Sequence, residues 1–234
     1  MAFRFRQFEV EDESGSQRVG TDAMLLGAWA EPGNALKILD IGTGCGVLAL
    51  MMTQKTAAFT DAIDIDHASV KEAQANFERS PWHGRLRAIH SSLGEFISAA
   101  EVHTYDFIIS NPPFFEKLLR SPFTRRNIAR HDHSMTHEHL VMGAATLLAP
   151  GGIFAVVLPY GTFNDFTRLC NRSGLYLKRC LAVSPRPSAP PGRILMEFSI
   201  TGSTISTAPA MAIRDSSGNF SAEYLALAYP FHFF

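Results

Sequence analysis

The eight residues Asp40-Ile41-Gly42-Thr43-Gly44-Cys45-Gly46-Val47 decide how the rest of this 234-residue sequence is read. They follow a short apolar run, Lys37 to Ile41, and lead into a helical pattern that begins near residue 45. Glycines between a strand and a helix let backbone approach a ligand closely, and the helix N-terminus behind them offers free N–H groups. A dinucleotide fingerprint wants glycine at the first, third and sixth places. Here the sixth place is Val47 and the last glycine stands at the fifth, so the spacing argues against NAD.

Outward from this turn, β-rich runs alternate with helical patterns. Candidate strands are Lys37 to Ile41, Phe59 to Asp64, Leu86 to His90, Tyr105 to Ser110, Gly152 to Leu158, Tyr176 to Val183 and Arg193 to Ile200; candidate helices lie near 45–55, 67–78, 93–100, 135–148 and 162–173. That alternation predicts an α/β fold with a mostly parallel sheet and crossover helices on both faces. The last connection carries Pro185, Pro187, Pro190 and Pro191, too stiff for a helix, so the last strand pair is expected to be antiparallel. Ahead of the first core strand stand an alternating strand on Phe3, Phe5 and Phe8, an acidic turn from Glu11 to Ser16, and an apolar helix over Ala23 to Ala30 opened by Thr21 and Asp22. After residue 200 the pattern reads as a loop over Gly202 to Pro209 and a short helix with an aromatic tail over Phe220 to Phe234. The expected organisation is one domain over 1–234: an N-terminal extension (1–35), a core (36–200) and a C-terminal extension (201–234).

Composition bounds the function. With 46% hydrophobic and 18% charged residues the chain builds a sizeable core, which excludes disorder, collagen and coiled coil. Lys and Arg number 21 against 22 Asp and Glu, a formal net charge of -1, so a nucleic-acid partner has to be held by a local basic patch. Met1 to Val10 lacks the apolar stretch of a secretory signal, and no apolar run approaches a membrane span. The three cysteines, Cys45, Cys170 and Cys180, form no CxxC and suit reduced thiols. The expectation is a soluble, cytoplasmic protein with no membrane partner.

Two further motifs carry chemistry. Asp64 ends the second strand about 20 residues past the glycines, where a carboxylate can accept both hydroxyls of a ribose. Asp66, two residues on, is placed to cap the helix starting at His67. Ser110-Asn111-Pro112-Pro113-Phe114 directly follows the strand stretch Tyr105 to Ile109. Two consecutive prolines hold the backbone extended, so the Asn111 side chain and the Pro112 carbonyl form a fixed pair of acceptors for a planar NH2 group. As its nitrogen attacks a methyl group it becomes positive, and acceptors set for that geometry favour the transition state over the ground state. Phe114 supplies a ring for the flat face of the substrate.

Together, Asp-x-Gly-x-Gly-x-Gly and Asn-Pro-Pro-Phe resemble the amino-methyltransferase branch of class I S-adenosyl-L-methionine (SAM) enzymes, which modify adenine N6 or the glutamine amide of release factors. The whole chain resembles the bacterial tRNA1(Val) (adenine-37-N6)-methyltransferase family, through Phe3-Arg-Phe-Arg-Gln-Phe8, Val19-Gly-Thr-Asp-Ala-Met-Leu-Leu-Gly-Ala-Trp29, Asp106-Phe-Ile-Ile-Ser-Asn-Pro-Pro113, Arg193-Ile-Leu-Met-Glu-Phe198 and Phe220-Ser-Ala-Glu-Tyr224. The resemblance implies a seven-stranded class I sheet, SAM as cofactor, and N6-methyladenine formed in tRNA just 3′ of the anticodon. It further implies Gly20, Thr21 and Asp22 near SAM, Asp40, Gly42 and Gly44 on the methionine side with Gly46 in the same loop, Asp64 on the ribose, and Asn111 touching cofactor as well as substrate. Where the family's third SAM motif presents an Asp to the adenine amino group, this chain has Ser91-Ser92-Leu93, so Ser92 is the expected, weaker acceptor.

Downstream of the catalytic loop, Lys117 to Arg130 holds Lys117, Arg120, Arg125, Arg126 and Arg130 and no acid, which fits contacts to RNA phosphates. His131, His133, His137 and His139 follow; methyl transfer needs no metal and no metal site is expected. Cys45 has no basic neighbour and reads as a small filler. Two other functions stay in view. A protein-glutamine N5-methyltransferase acting on a release factor would use the same acceptor pair, but it carries an N-terminal helical domain for which the roughly 35 residues before the first core strand are too few. A silent RNA-binding module would leave Asn111 and the glycines without a task.

Overall fold

A computed structural model describes residues 2–12, 19–113, 135–202, 206–207 and 209–232. The chain opens with a hairpin, β1 (Ala2–Arg4) and β2 (Glu9–Glu11), followed by α1 (Thr21–Trp29). The core then runs β3 (Lys37–Ile41), α2 (Val47–Lys55), β4 (Phe59–Asp64), α3 (His67–Arg79), β5 (Leu86–His90), α4 (Leu93–Ala99) and β6 (Tyr105–Ser110). After the undescribed segment come α5 (His137–Leu147), β7 (Leu148–Pro159), α6 (Phe163–Arg172), β8 (Tyr176–Ser184) and β9 (Arg193–Ser199). The C-terminal part adds β10 (Ser206–Thr207), β11 (Met211–Ala212) and α7 (Ala222–Ala228).

The main sheet has the order β10-β8-β9-β7-β6-β3-β4-β5, with β11 also on β8. Neighbours from β7 to β5 are parallel, whereas β9 is inserted antiparallel between β7 and β8, as the proline-rich connection predicts. Strands covered on both faces read as continuous apolar runs, and Ile153 to Leu158 of β7 are all buried. One face is packed by α1, α2, Ala73 and Phe77 of α3, α7 and the N-terminal hairpin; the other by α4, α5 and α6. Phe5, Phe8, Tyr224 and Phe231 sit in the same buried cluster as Val47 and Phe107, so both extensions share the core's interior.

Three expectations change. The single N-terminal strand is a hairpin, because Phe8 lies three residues after Phe5 and breaks the period of two; the chain turns at Arg6-Gln7, and the two rings stack with centroids 4.3 Å apart. The sheet exceeds seven strands, since β10 and β11 extend the β8 edge in a region expected to be loop. Finally, β7 starts at Leu148 rather than Gly152: Leu148 pairs with Tyr105, and Pro150-Gly151-Gly152 forms an irregularity before Ile153 pairs with Phe107. Gly151 has φ +80°.

Candidate functional site

The site forms where strand order reverses. From β3 the chain moves through α2 to β4 on one side, while β6 lies on the other, so the loops after β3 and β6 diverge and leave a crevice at the C-terminal sheet edge. Ile41 pairs with Ile63 and with Ser110, which brings Gly42, Asp64 and Asn111 to one level on three adjacent strands. The Ser110 hydroxyl donates to the Ile41 carbonyl at 2.8 Å and locks that register.

The glycine turn is built from backbone that other residues resist. Gly42, Gly44 and Gly46 have φ of +73°, +55° and +87°. A Cβ on Gly44 would meet nothing, leaving that backbone open, whereas one on Gly46 would come within 2.5 Å of Phe77. Gly46 therefore serves close packing of α2 on α3, where the completely buried Phe77 ring contributes about 2–3 kcal/mol. The Gly42 and Thr43 amides donate to the Ile63 carbonyl, and the Gly44 amide to Asp64 Oδ2 at 2.9 Å. Beneath the turn Asp40 is fully buried; its Oδ2 accepts from Thr43 Oγ1 at 2.7 Å and from the Ala49 amide at 3.2 Å. Its Oδ1 is buried without a partner among the described residues. Burial, more than the nearby Asp64 charge, pushes the Asp40 carboxyl up to about 7 against those two hydrogen bonds.

Asp64 is half-buried, with Oδ2 on Gly44 and Oδ1 accepting from the Asp66 amide at 2.9 Å. Each oxygen keeps a second lone pair for a further donor. Beside it Ile65 exposes 42% of its surface, an apolar shelf at the sheet edge. Asn111 is half-buried, and its Oδ1 is shielded from water with no partner among the described residues. Pro112 behind it is buried. Two buried acceptors without a partner among the described residues, Asp40 Oδ1 and Asn111 Oδ1, lie at the ends of adjacent strands, and such groups call for a donor.

Comparison with known proteins agrees with this geometry. A family described as the methyltransferase small domain matches residues 18–162. Proteins named tRNA1(Val) (adenine(37)-N6)-methyltransferase from Parabacteroides distasonis and Phocaeicola vulgatus are 37% and 38% identical, over 98% of this chain and 97% of theirs. The chain belongs to this methyltransferase family. Among solved structures, a predicted O-methyltransferase of Agrobacterium tumefaciens superposes with a TM-score of 0.70 at 15% identity, covering 90% of this chain and 96% of that one. A Thermus thermophilus 16S rRNA N2 G1207 methyltransferase, in complex with AdoMet and guanosine, gives 0.58 at 21% identity over 85% of this chain and 49% of its own. Both show the class I methyltransferase fold.

Within that fold the remaining expected residues fall as follows. Gly20 and Thr21 are exposed at the start of α1, and Gly20, not Asp22, is the N-cap. Asp22 Oδ2 accepts instead from Arg193 Nε at 2.9 Å, tying α1 to the first residue of β9 at the same sheet edge as Asn111. Asp66 caps α3 as expected, accepting from the Ser69 amide at 3.0 Å. Ser92 heads α4 in a capping box: its hydroxyl donates to Glu95 Oε2 at 2.7 Å and accepts from the Glu95 amide at 3.2 Å, which leaves the oxygen one further lone pair. Phe114, Lys117, Arg120, Arg125, Arg126, Arg130, His131 and His133 lie outside the described residues. His137 packs edge-on against Phe166, and burial holds its imidazole below the ordinary value. Among the described residues no group of three or more His, Cys, Asp or Glu is placed to hold a metal. Burial pushes the Cys45 thiol up to about 12, in keeping with a filler.

Two residues of the site escaped sequence reasoning. Asn76 of α3 is fully buried and donates to the carbonyls of Cys45 at 2.8 Å and Glu11 at 2.9 Å, while its Oδ1 accepts from the Glu11 amide. It joins the glycine turn to the N-terminal hairpin across 65 residues, a contact with no local sequence signal. Arg193 entered only as part of a family stretch; its pairing with Asp22 spans 171 residues.

Proposed function

We infer that this methyltransferase uses SAM to methylate the exocyclic N6 of an adenine in tRNA, the adenine just 3′ of the anticodon. The observation that carries this reading is Asn111-Pro112-Pro113 at the end of β6, beside the glycine turn, with an unpartnered Asn111 Oδ1. The donor set fits the cofactor: the buried Asp40 Oδ1 matches the α-ammonium, Asp64 the ribose diol, and the open Gly44 backbone a close approach. SAM, when bound, supplies a methyl group activated on a positive sulfur.

The chain's own part is positioning and charge stabilisation. Asn111 Oδ1 and the Pro112 carbonyl accept the two hydrogens of the N6 amino group and hold its nitrogen in place. As the nitrogen pyramidalises and turns positive, both acceptors strengthen, so their effect falls mainly on the transition state. Phe114 offers a stacking face, and the base has to leave its stack to arrive there. The glutamine-amide alternative shares the acceptor pair, but the relatives named above are adenine-N6 enzymes. A tRNA substrate places the work in the cytoplasm.

The test is direct. Protein, labelled SAM and bulk tRNA are incubated, the RNA is digested to nucleosides, and label is sought in N6-methyladenosine. Label appearing on glutamine of a release factor and not on tRNA would overturn the reading.

A further inference from the structure

We propose that a second tRNA-backbone surface lies along the same sheet edge beyond the catalytic loop, formed by Arg186 on the β8–β9 loop and by Arg214 with Phe220 on the C-terminal segment. It rests on the tRNA reading above and adds where the RNA runs past the site. Moving across the C-terminal edge from Asn111, one meets the end of β7 at Pro159, the start of β9 at Arg193, the end of β8 at Ser184 and then β11. Val183, Arg193 and Pro159 form one row across three strands. At about 4.8 Å per strand, β9 is about 10 Å and β8 about 14 Å from the strand that carries Asn111, distances that a few nucleotides on one side of an extruded base cover.

The surface is built rather than incidental. The loop 185–192 carries four prolines, and its ends are tied down: the Gly192 amide donates to Val183, the Tyr160 amide to Gly192, the Arg214 amide to Pro185 and the Ile213 amide to Ser184. A stiff loop presents Arg186, exposed and with no side-chain hydrogen bond or ion pair among the described residues, at little ordering cost. Arg214 is exposed, held by the Gly218 carbonyl at 2.8 Å, and lies 4.7 Å over the Phe220 ring, which is itself 37% exposed and stacked on Tyr224. An arginine laid on an exposed aromatic ring presents its guanidinium edge outward, where it can fork to phosphate oxygens.

The local charge favours an anion. Segments 184–193 and 209–224 hold Arg186, Arg193 and Arg214 against two acids, Asp215 and Glu223. Asp215 Oδ1 accepts from the amides of Ser217 and Asn219 at 2.9 Å, and Arg193 is engaged by Asp22. What this edge offers a phosphate is therefore two individual exposed guanidinium groups, Arg186 and Arg214, rather than a large positive field.

The experiment measures tRNA affinity at several salt concentrations, together with methyl transfer to tRNA, for wild type, R186A/R214A, R186K/R214K, and R168A/R172A on the opposite face. Expected for R186A/R214A are a KM for tRNA raised on the order of tenfold at low salt, a slope of log affinity against log salt smaller by about 1.5, and unchanged SAM affinity. The lysine pair should restore most of the slope, because phosphate contact follows charge, and the R168A/R172A pair should leave it alone. If wild type methylates tRNA and the R186A/R214A slope equals the wild-type slope, the inference falls while the functional reading stands. It also falls if R186K/R214K restores nothing, which would mark a purely structural loss, or if R168A/R172A lowers the slope equally, which would mark a general charge effect. If wild type transfers no methyl to tRNA, the functional reading itself has failed, and this inference with it.

Discussion

Asp40→Asn separates the two tasks of the acid beneath the glycine turn. Its carboxyl sits at about 7 in the folded chain against 3.8 ordinarily, so the folded state holds the proton more tightly than the unfolded state. The associated stabilisation is present in full below about pH 4, declines as pH rises, and is gone above about pH 7; the gap corresponds to about 4 kcal/mol. Asparagine keeps an oxygen for the bonds from Thr43 and Ala49 and leaves an unpartnered NH2 where Oδ1 stood, a cost of about 1–3 kcal/mol that the protonated acid already bears in part. The variant should therefore match wild type near pH 5 and exceed it at pH 8 by about 1–3 kcal/mol, a Tm difference of about 3–9 °C for a chain of this size. Calorimetry of both proteins across pH 5 to 8, without SAM, measures that difference. Affinity for SAM should move the other way: at pH 8 the variant lacks the anion that meets the α-ammonium and should bind at least tenfold more weakly, a loss of about 1.4 kcal/mol or more. A Tm difference that does not change with pH, or SAM affinity equal to wild type at pH 8, would refute the reasoning.

Asn111→Ala removes one of two acceptors from the reacting nitrogen, so turnover should fall about 100-fold or more with SAM affinity nearly unchanged, read by single-turnover kinetics and calorimetry. Asp64→Ala should weaken SAM binding by about 1.5–3 kcal/mol, and because Asp64 also holds the Gly44 and Asp66 amides it should lower Tm as well; titration calorimetry and thermal melts check the two effects. Asn76→Leu leaves the Cys45 carbonyl and both Glu11 backbone groups without their partner, at about 2–4 kcal/mol of stability, which denaturant titration should show.

Much of this protein was legible locally. Strand runs such as Lys37–Ile41 and Tyr105–Ser110 fall where the sequence puts them because parallel strands buried on both faces are continuous apolar stretches, unmistakable beside amphipathic helices such as α3. The glycine turn and Asn111-Pro112-Pro113 were equally clear, since glycine and proline act on their own backbone and need no distant partner to be read. What tertiary structure decided are the relations between segments. Asp22 stands at a helix start in sequence, but only the folded chain brings Arg193 to it. Gly46 belongs by spacing to the ligand loop, yet Phe77 from another helix occupies its side-chain space. The edge strands β10 and β11 carry two residues each, too few for any periodicity, and exist because β8 leaves an unpaired edge for them to cover. A sequence states its backbone's preferences residue by residue; which side chain meets which, across 65 or 171 positions, is settled only when folding brings distant polar groups within reach of one another.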